Sequence, residues 1–196
     1  MKNRNPTMYK NILETVLSLG ISPEPAWKKL ANDENGKSEE FLSKFLYPLL
    51  GLVALATFIG LLFKKGFEIE YALKTASVTF VSLFAGFFLA SFLLNEISKK
   101  FFNREDNLPQ IQRFVAYVSS FSYVISIIQA IFYDLFFLRF FLLYVIYIIW
   151  IGCEKFLKIE EKERYKFMIT ATGVLYFSPL VIEKLMRFMM PGLFKL

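Results

Sequence analysis

Residues 114–153 run for forty positions with only two charges, Asp134 and Arg139. As one α-helix, at about 1.5 Å per residue, the stretch would be about 60 Å long, twice the hydrocarbon thickness of a bilayer. It has no polar face with which to close a water-soluble core. It therefore predicts two membrane-spanning helices folded back on each other. The polar break YDLFFLRF, residues 133–140, places a tight hairpin around Asp134, with Arg139 snorkelling to the same interface.

Three more apolar runs fit the same reading. FLSKFLYPLLGLVALATFIGLLF, residues 41–63, is closed by Lys64 and Lys65, and Pro48 lies in its first turns, where a missing N–H costs little or makes a kink. A second run, 75–97, is closed by Lys99 and Lys100. Pro109, in the polar loop that follows, suits a loop or a helix start. The last run, FMITATGVLYFSPLVI, is the weakest and leads into EKLMRFMMPGLFKL. The loop between the fourth and fifth spans, 154–166, alternates in sign and reads as a solvated helical extension. The expectation is an all-α, polytopic membrane protein. Its five-helix bundle spans the bilayer at about 41–63, 75–97, 114–133, 137–155 and 167–188. Residues 1–40 form interfacial helices ahead of a transmembrane domain at 41–196.

Charge supplies the orientation. The chain holds 23 Lys and Arg. With five spans, sixteen of them fall on the side of the N-terminus and seven on the other. The positive-inside rule then puts the N-terminus in the cytoplasm and the C-terminus outside. Read this way, the net charge of +6 marks topology and anionic lipid, and no nucleic-acid partner is expected. The stretch NILETVLSLG is interrupted by Glu14 and lacks a small-residue cleavage site, so no secretory leader is expected there. One cysteine, Cys153, and no histidine leave no intrachain disulfide and no ordinary zinc site.

The segment ahead of the first span has its own pattern. Met8, Tyr9, Ile12, Leu13, Val16, Leu17 and Leu19 make an apolar face, with Gly20 as a C-terminal cap. Ser22 then N-caps a second helix, with Pro23 and Pro25 in its first turn, where neither costs a ladder hydrogen bond. Trp27 is expected at the water–lipid boundary, and Lys28 and Lys29 against anionic headgroups. The segment SPEPAWKKL reads as an interfacial anchor or, in the sharper alternative, as a docking site for a partner.

Pro23-x-x-Ala26-Trp27 just ahead of the first span resembles the pattern of bacterial members of the Yip family, the Ypt/Rab-interacting membrane proteins. The five-span plan, the run FLSKFLYPLLGLVALATF, Tyr117-x-x-Ser120 at the start of span three and Gly152 closing span four are similar too. The resemblance covers about residues 8–190. It implies a five-helix bundle with a cytosolic N-terminus and, from the eukaryotic relatives, a non-enzymatic role in trafficking with Rab GTPases. For a bacterial relative it implies a plasma-membrane domain.

Few residues could carry chemistry. Ser82, Gly86 and Ala90, and likewise Ser122, Ser126 and Ala130, make small-residue faces suited to close helix packing, with self-association as the alternative. Gln129 is an intramembrane amide expected to bond to a neighbouring helix. Glu183 and Arg187 face each other four residues apart. They mark either a polar site within the bilayer or, as the preferred reading, a solvated turn beyond the last span. No phosphate loop, zinc spacing or catalytic carboxylate pair appears, and no cofactor is expected. The leading expectation is a non-catalytic scaffold or adaptor. It would act on membrane lipids, an unidentified protein partner or a second copy of itself, through Pro23, Ala26, Trp27, Lys28 and Lys29. The alternative is a small transporter or channel component using Gln129, Glu183 and Arg187.

Overall fold

The computed structural model describes residues 6–32, 38–64, 66–132, 134–190 and 193. Lys65 and Tyr133, expected at the end of span one and in the hairpin between spans three and four, lie outside the described residues, as does most of the C-terminal segment beyond Met190. The described chain is all-helical. Helix α1 (Pro6–Ile21) and α2 (Pro23–Asn32) precede five helices long and apolar enough to cross a membrane.

The first span, Glu39–Leu62, is built from α3 (Ser38–Phe41), a π-helical turn (Leu42–Leu46) and α4 (Tyr47–Leu62). Pro48 explains the wide turn. It cannot donate to the carbonyl one turn back, and its ring crowds that turn. The backbone opens just ahead of it, where the Tyr47 N–H reaches Leu42 O, five residues back.

The second span, α5 (Ile69–Phe102), is much longer than its apolar run. Its first turns are helical because Glu70 pairs with Lys74, four residues on. At its far end Asn103 takes the left-handed conformation, φ 48°, and its N–H caps Ser98 O. Asn107 then N-caps α6 (Leu108–Ile131), accepting from the Gln110 N–H at 3.1 Å, with Pro109 in the first turn. Asn95 donates to Asp106 at 2.9 Å and ties this joint together.

Asp134 sits in an exposed turn, as expected, and the chain returns through a 3₁₀ stretch (Phe136–Leu143) and α7 (Tyr144–Lys155). The α7–α8 connection departs from expectation. Only its second half, Glu161–Lys166, is the solvated helical extension expected; before it helix stops at Lys155, Lys158 is left-handed at φ 53°, and Phe156, Leu157 and Ile159 are buried. Alternating charge hid three apolar side chains that turn into the bundle. Helix α8 (Glu161–Met189) continues past Ile182 with Pro179 inside it, so Glu183 and Arg187 lie on the helix and not in a solvated turn.

Within the bundle α5 packs on α8 and α4, α4 on α6, and α7 on α8. Two glycines set these distances. A Cβ on Gly60 would come within 1.7 Å of Ala130 O, so α4 and α6 touch backbone to backbone. A Cβ on Gly86 would come within 2.6 Å of Pro179 Cα, which locks α5 to α8. The small-residue face of Ser82, Gly86 and Ala90 is therefore buried inside the fold. Side chains such as Leu55, Phe92 and Phe177 point outward instead. That inversion suits a protein whose solvent is hydrocarbon.

Candidate functional site

Helices α1 and α2 form a nearly continuous helical segment, with α1 packed on α6 and α2 on α7 at one end of the bundle. The turn between them is barely a break: the Ser22 N–H bonds to Ser18 O at 2.9 Å and the Ala26 N–H to Ser22 O at 3.2 Å. Gly20 is helical and does not cap by a left-handed turn. Its missing side chain lets the backbone meet the ring of Phe121, where a Cβ would come within 2.7 Å. Pro23 opens α2 at its first position, as its fixed φ and missing N–H favour.

Trp27 is not at the water–lipid boundary. Its ring is fully buried, and its Nε1 donates to Ile148 O on α7 at 3.0 Å. The ring stacks on Phe114 (centroids 5.6 Å apart), meets Tyr117 edge-on (5.9 Å) and leans on Phe156 (5.2 Å). Gly152 makes room: a Cβ there would lie 2.8 Å from Trp27 and from Phe114. The indole is apolar in body with one donor, and here a dry aromatic box satisfies both parts. Pro23 and Ala26 are buried beside it. Trp27 holds α2 to the bundle, whereas Lys28 and Lys29 are exposed.

An ion pair backs the box at the surface. Glu24 meets Lys28 at 2.8 Å and Lys155 at 3.4 Å. Hydrogen bonds from Lys28 and then Lys155 hold its carboxyl below the ordinary value. Arg164 pairs with Glu154 at 2.8 Å and lies over the Trp150 ring.

Docking uses only half of the apolar surface of α1. Ile12, Val16 and Leu19 are buried against the bundle. Tyr9, Leu13, Leu17 and Ile21, spaced four apart, form a second row that stays exposed, with Ile21 at 77 %.

A second feature lies deeper. Helices α5, α6, α7 and α8 enclose a cleft of about 300 Å³. Thr79, Ser82, Ser119, Ser122, Ser126 and Tyr176 give it hydroxyl groups. Ser119 shares a hydrogen bond with Tyr123, and Ser122 one with Tyr176, whose hydroxyl also donates to Leu142 O at 2.7 Å. Glu183 lines the cleft and accepts from Arg187 Nε at 2.8 Å. Gln129 is not among the lining residues. Among the described residues it donates not to a neighbouring span but to Leu135 O, in the turn after its own helix, at 3.5 Å. The expected polar trio is thus divided. Single spans gave no sign that the hydroxyls of three helices converge. Among the described residues no three His, Cys, Asp or Glu group to hold a metal ion.

Five candidate spans and an N-terminal helical segment docked at one end define an all-α integral membrane protein. The Yip1 domain model matches residues 17–182, and the chain belongs to the Yip1 domain family. Members of that family are generally non-catalytic membrane proteins. No curated protein matches the chain, and no solved structure matches it. The matched region begins within α1 and ends one residue short of Glu183, so it contains the whole aromatic box.

Proposed function

We propose that the protein is a non-catalytic scaffold or adaptor of a bacterial plasma membrane, with its N-terminus cytoplasmic and its C-terminus outside. It acts through protein–protein or protein–lipid contacts. The observation that supports this reading is the doubled apolar character of α1. One face is fixed to the bundle, and the Tyr9–Leu13–Leu17–Ile21 row is held outside it in a set orientation. Residues four apart share a helix face, which suits a groove on a partner or the headgroup boundary. A pre-ordered helix loses less entropy on binding than a free one. Lys29 stands exposed on the next helix and can take an acidic group, while Lys28 beside it is paired with Glu24.

Crosslinking in the native membrane tests this, comparing wild type with the Leu13→Ser/Leu17→Ser variant. A defined partner that the variant loses, with its melting temperature unchanged, supports the adaptor reading. Identical capture profiles would sink it. The hydroxyl-lined cleft favours a second reading, movement of a small solute or lipid. Flux in liposomes would then depend on Glu183 and not on Gln129.

A further inference from the structure

We propose that the cleft between α5, α6, α7 and α8 binds a zwitterionic phospholipid with a primary amine, a phosphoethanolamine headgroup, entering sideways from the bilayer. The proposal is independent of the adaptor reading, which rests on α1.

The cleft asks for hydrogen bonds. Ser82 lines it, and its buried Oγ has no hydrogen-bond partner among the described residues. An unpaired hydroxyl in a dry interior is costly, and one ligand atom that donates or accepts would remove the cost. A volume of about 300 Å³ is too large for a bare ion and lies at the lower end of small-molecule sites. It is the scale of a headgroup. Its mouth is on the flank of the bundle, because Ser126 and Leu180, both within spans, line it and are exposed. Leu83, Val118 and Val145 give it apolar walls against which the first acyl carbons fit.

Charge narrows the class. Among the described residues lining the cleft the one carboxylate or basic side chain is Glu183, and one turn along is its partner Arg187. A cation alone would meet the guanidinium, and an anion alone would meet the carboxylate. A zwitterion satisfies both: its ammonium donates to Glu183 and the serine oxygens, and its phosphate accepts from Arg187. Phosphocholine carries the same charges but has no N–H to donate, so Glu183 and Ser82 gain no hydrogen bond from it and only the charge attraction at Glu183 remains.

The full-length protein, purified in mild detergent, is mixed with phosphatidylethanolamine, phosphatidylcholine or soluble phosphoethanolamine, and retained adducts are read by native mass spectrometry. One phosphatidylethanolamine is expected per chain, at least about tenfold more than phosphatidylcholine. Ser82→Ala and Glu183→Gln should each cut retention about tenfold, the loss of roughly one charge-assisted hydrogen bond. Ser82→Ala should also leave the lipid-free melting temperature equal or higher, since it removes an unpaired buried hydroxyl. Leu13→Ser/Leu17→Ser should retain lipid normally, which separates this site from α1. Equal retention of the two lipids, or full retention by both cleft variants, overturns the proposal. Tight binding of soluble phosphoethanolamine would overturn the lipid assignment in favour of the free phosphoester.

Discussion

A single residue, Trp27, joins the N-terminal helical segment to two spans. Its nitrogen satisfies a carbonyl of α7, and its ring fills a box made by α6 and the α7–α8 connection. Trp27→Ala should cost about 3–5 kcal/mol, the usual range for emptying a large aromatic site. Gly152→Ala should cost about 1–3 kcal/mol, because its methyl must push the ring away. The two changes share one contact, so they should not add: Gly152→Ala should cost less when position 27 is already alanine, with only the clash against Phe114 remaining. Thermal unfolding of the four proteins in detergent measures the cycle, and full additivity would contradict the contact. Cys153 offers a second readout. It is buried next to Gly152 and is the only thiol. Maleimide labelling should be slow in the wild type and much faster in Trp27→Ala, with rates alike only if the N-terminal segment stays docked without its ring.

Between helices, backbone contact and surface charge make separate contributions. Gly60→Ala and Gly86→Ala both place a methyl against main chain, at Ala130 and at Pro179. Neither neighbour is a flexible side-chain end, so each variant must separate two spans and should melt lower by several degrees. Gly51 has open space where its Cβ would stand, and Gly51→Ala should melt at or above the wild type. A lower melt for Gly51→Ala than for Gly60→Ala would refute the packing argument. The α2 ion pair predicts an acid transition. Glu24 is held below its ordinary value of 4.5, so its contribution is complete above that pH. It is lost as pH falls through the lowered value, when Lys28 and Lys155 lose their partner. Tryptophan emission should shift to the red on that acid limb as Trp27 loosens, and the Glu24→Gln variant should lack this component.

At the scale of the molecule, the apolar blocks announce five spans because no soluble fold could cover them. What each helix touches was harder to read. The alternation in residues 8–19 shows two faces, but not that one is docked and the other bare. Trp27 has the chemistry of a boundary residue, and only the fold supplies the dry box that makes it a core residue. Phe156, Leu157 and Ile159 were masked by the charges around them. The cleft hydroxyls lie on three helices, and periodicity along one helix carries no information about its neighbours. The motif residues Trp27, Tyr117 and Gly152 did point together: all three meet in the aromatic box.

The fourth span is the shortest, 19 residues at Phe137–Lys155, and it begins with a 3₁₀ stretch. A 3₁₀ residue rises about 2.0 Å against about 1.5 Å for an α residue. The eight residues Phe136–Leu143 therefore reach about 4 Å farther than the same residues would as α-helix. That extension lets a short segment meet a full hydrocarbon thickness. In a thinner bilayer, winding this stretch into α-helix would relieve hydrophobic mismatch without tilting the other four spans. Such winding would make the fourth span the point at which the bundle adjusts its length. Helix content by circular dichroism should rise as the acyl chains of the host vesicle are shortened.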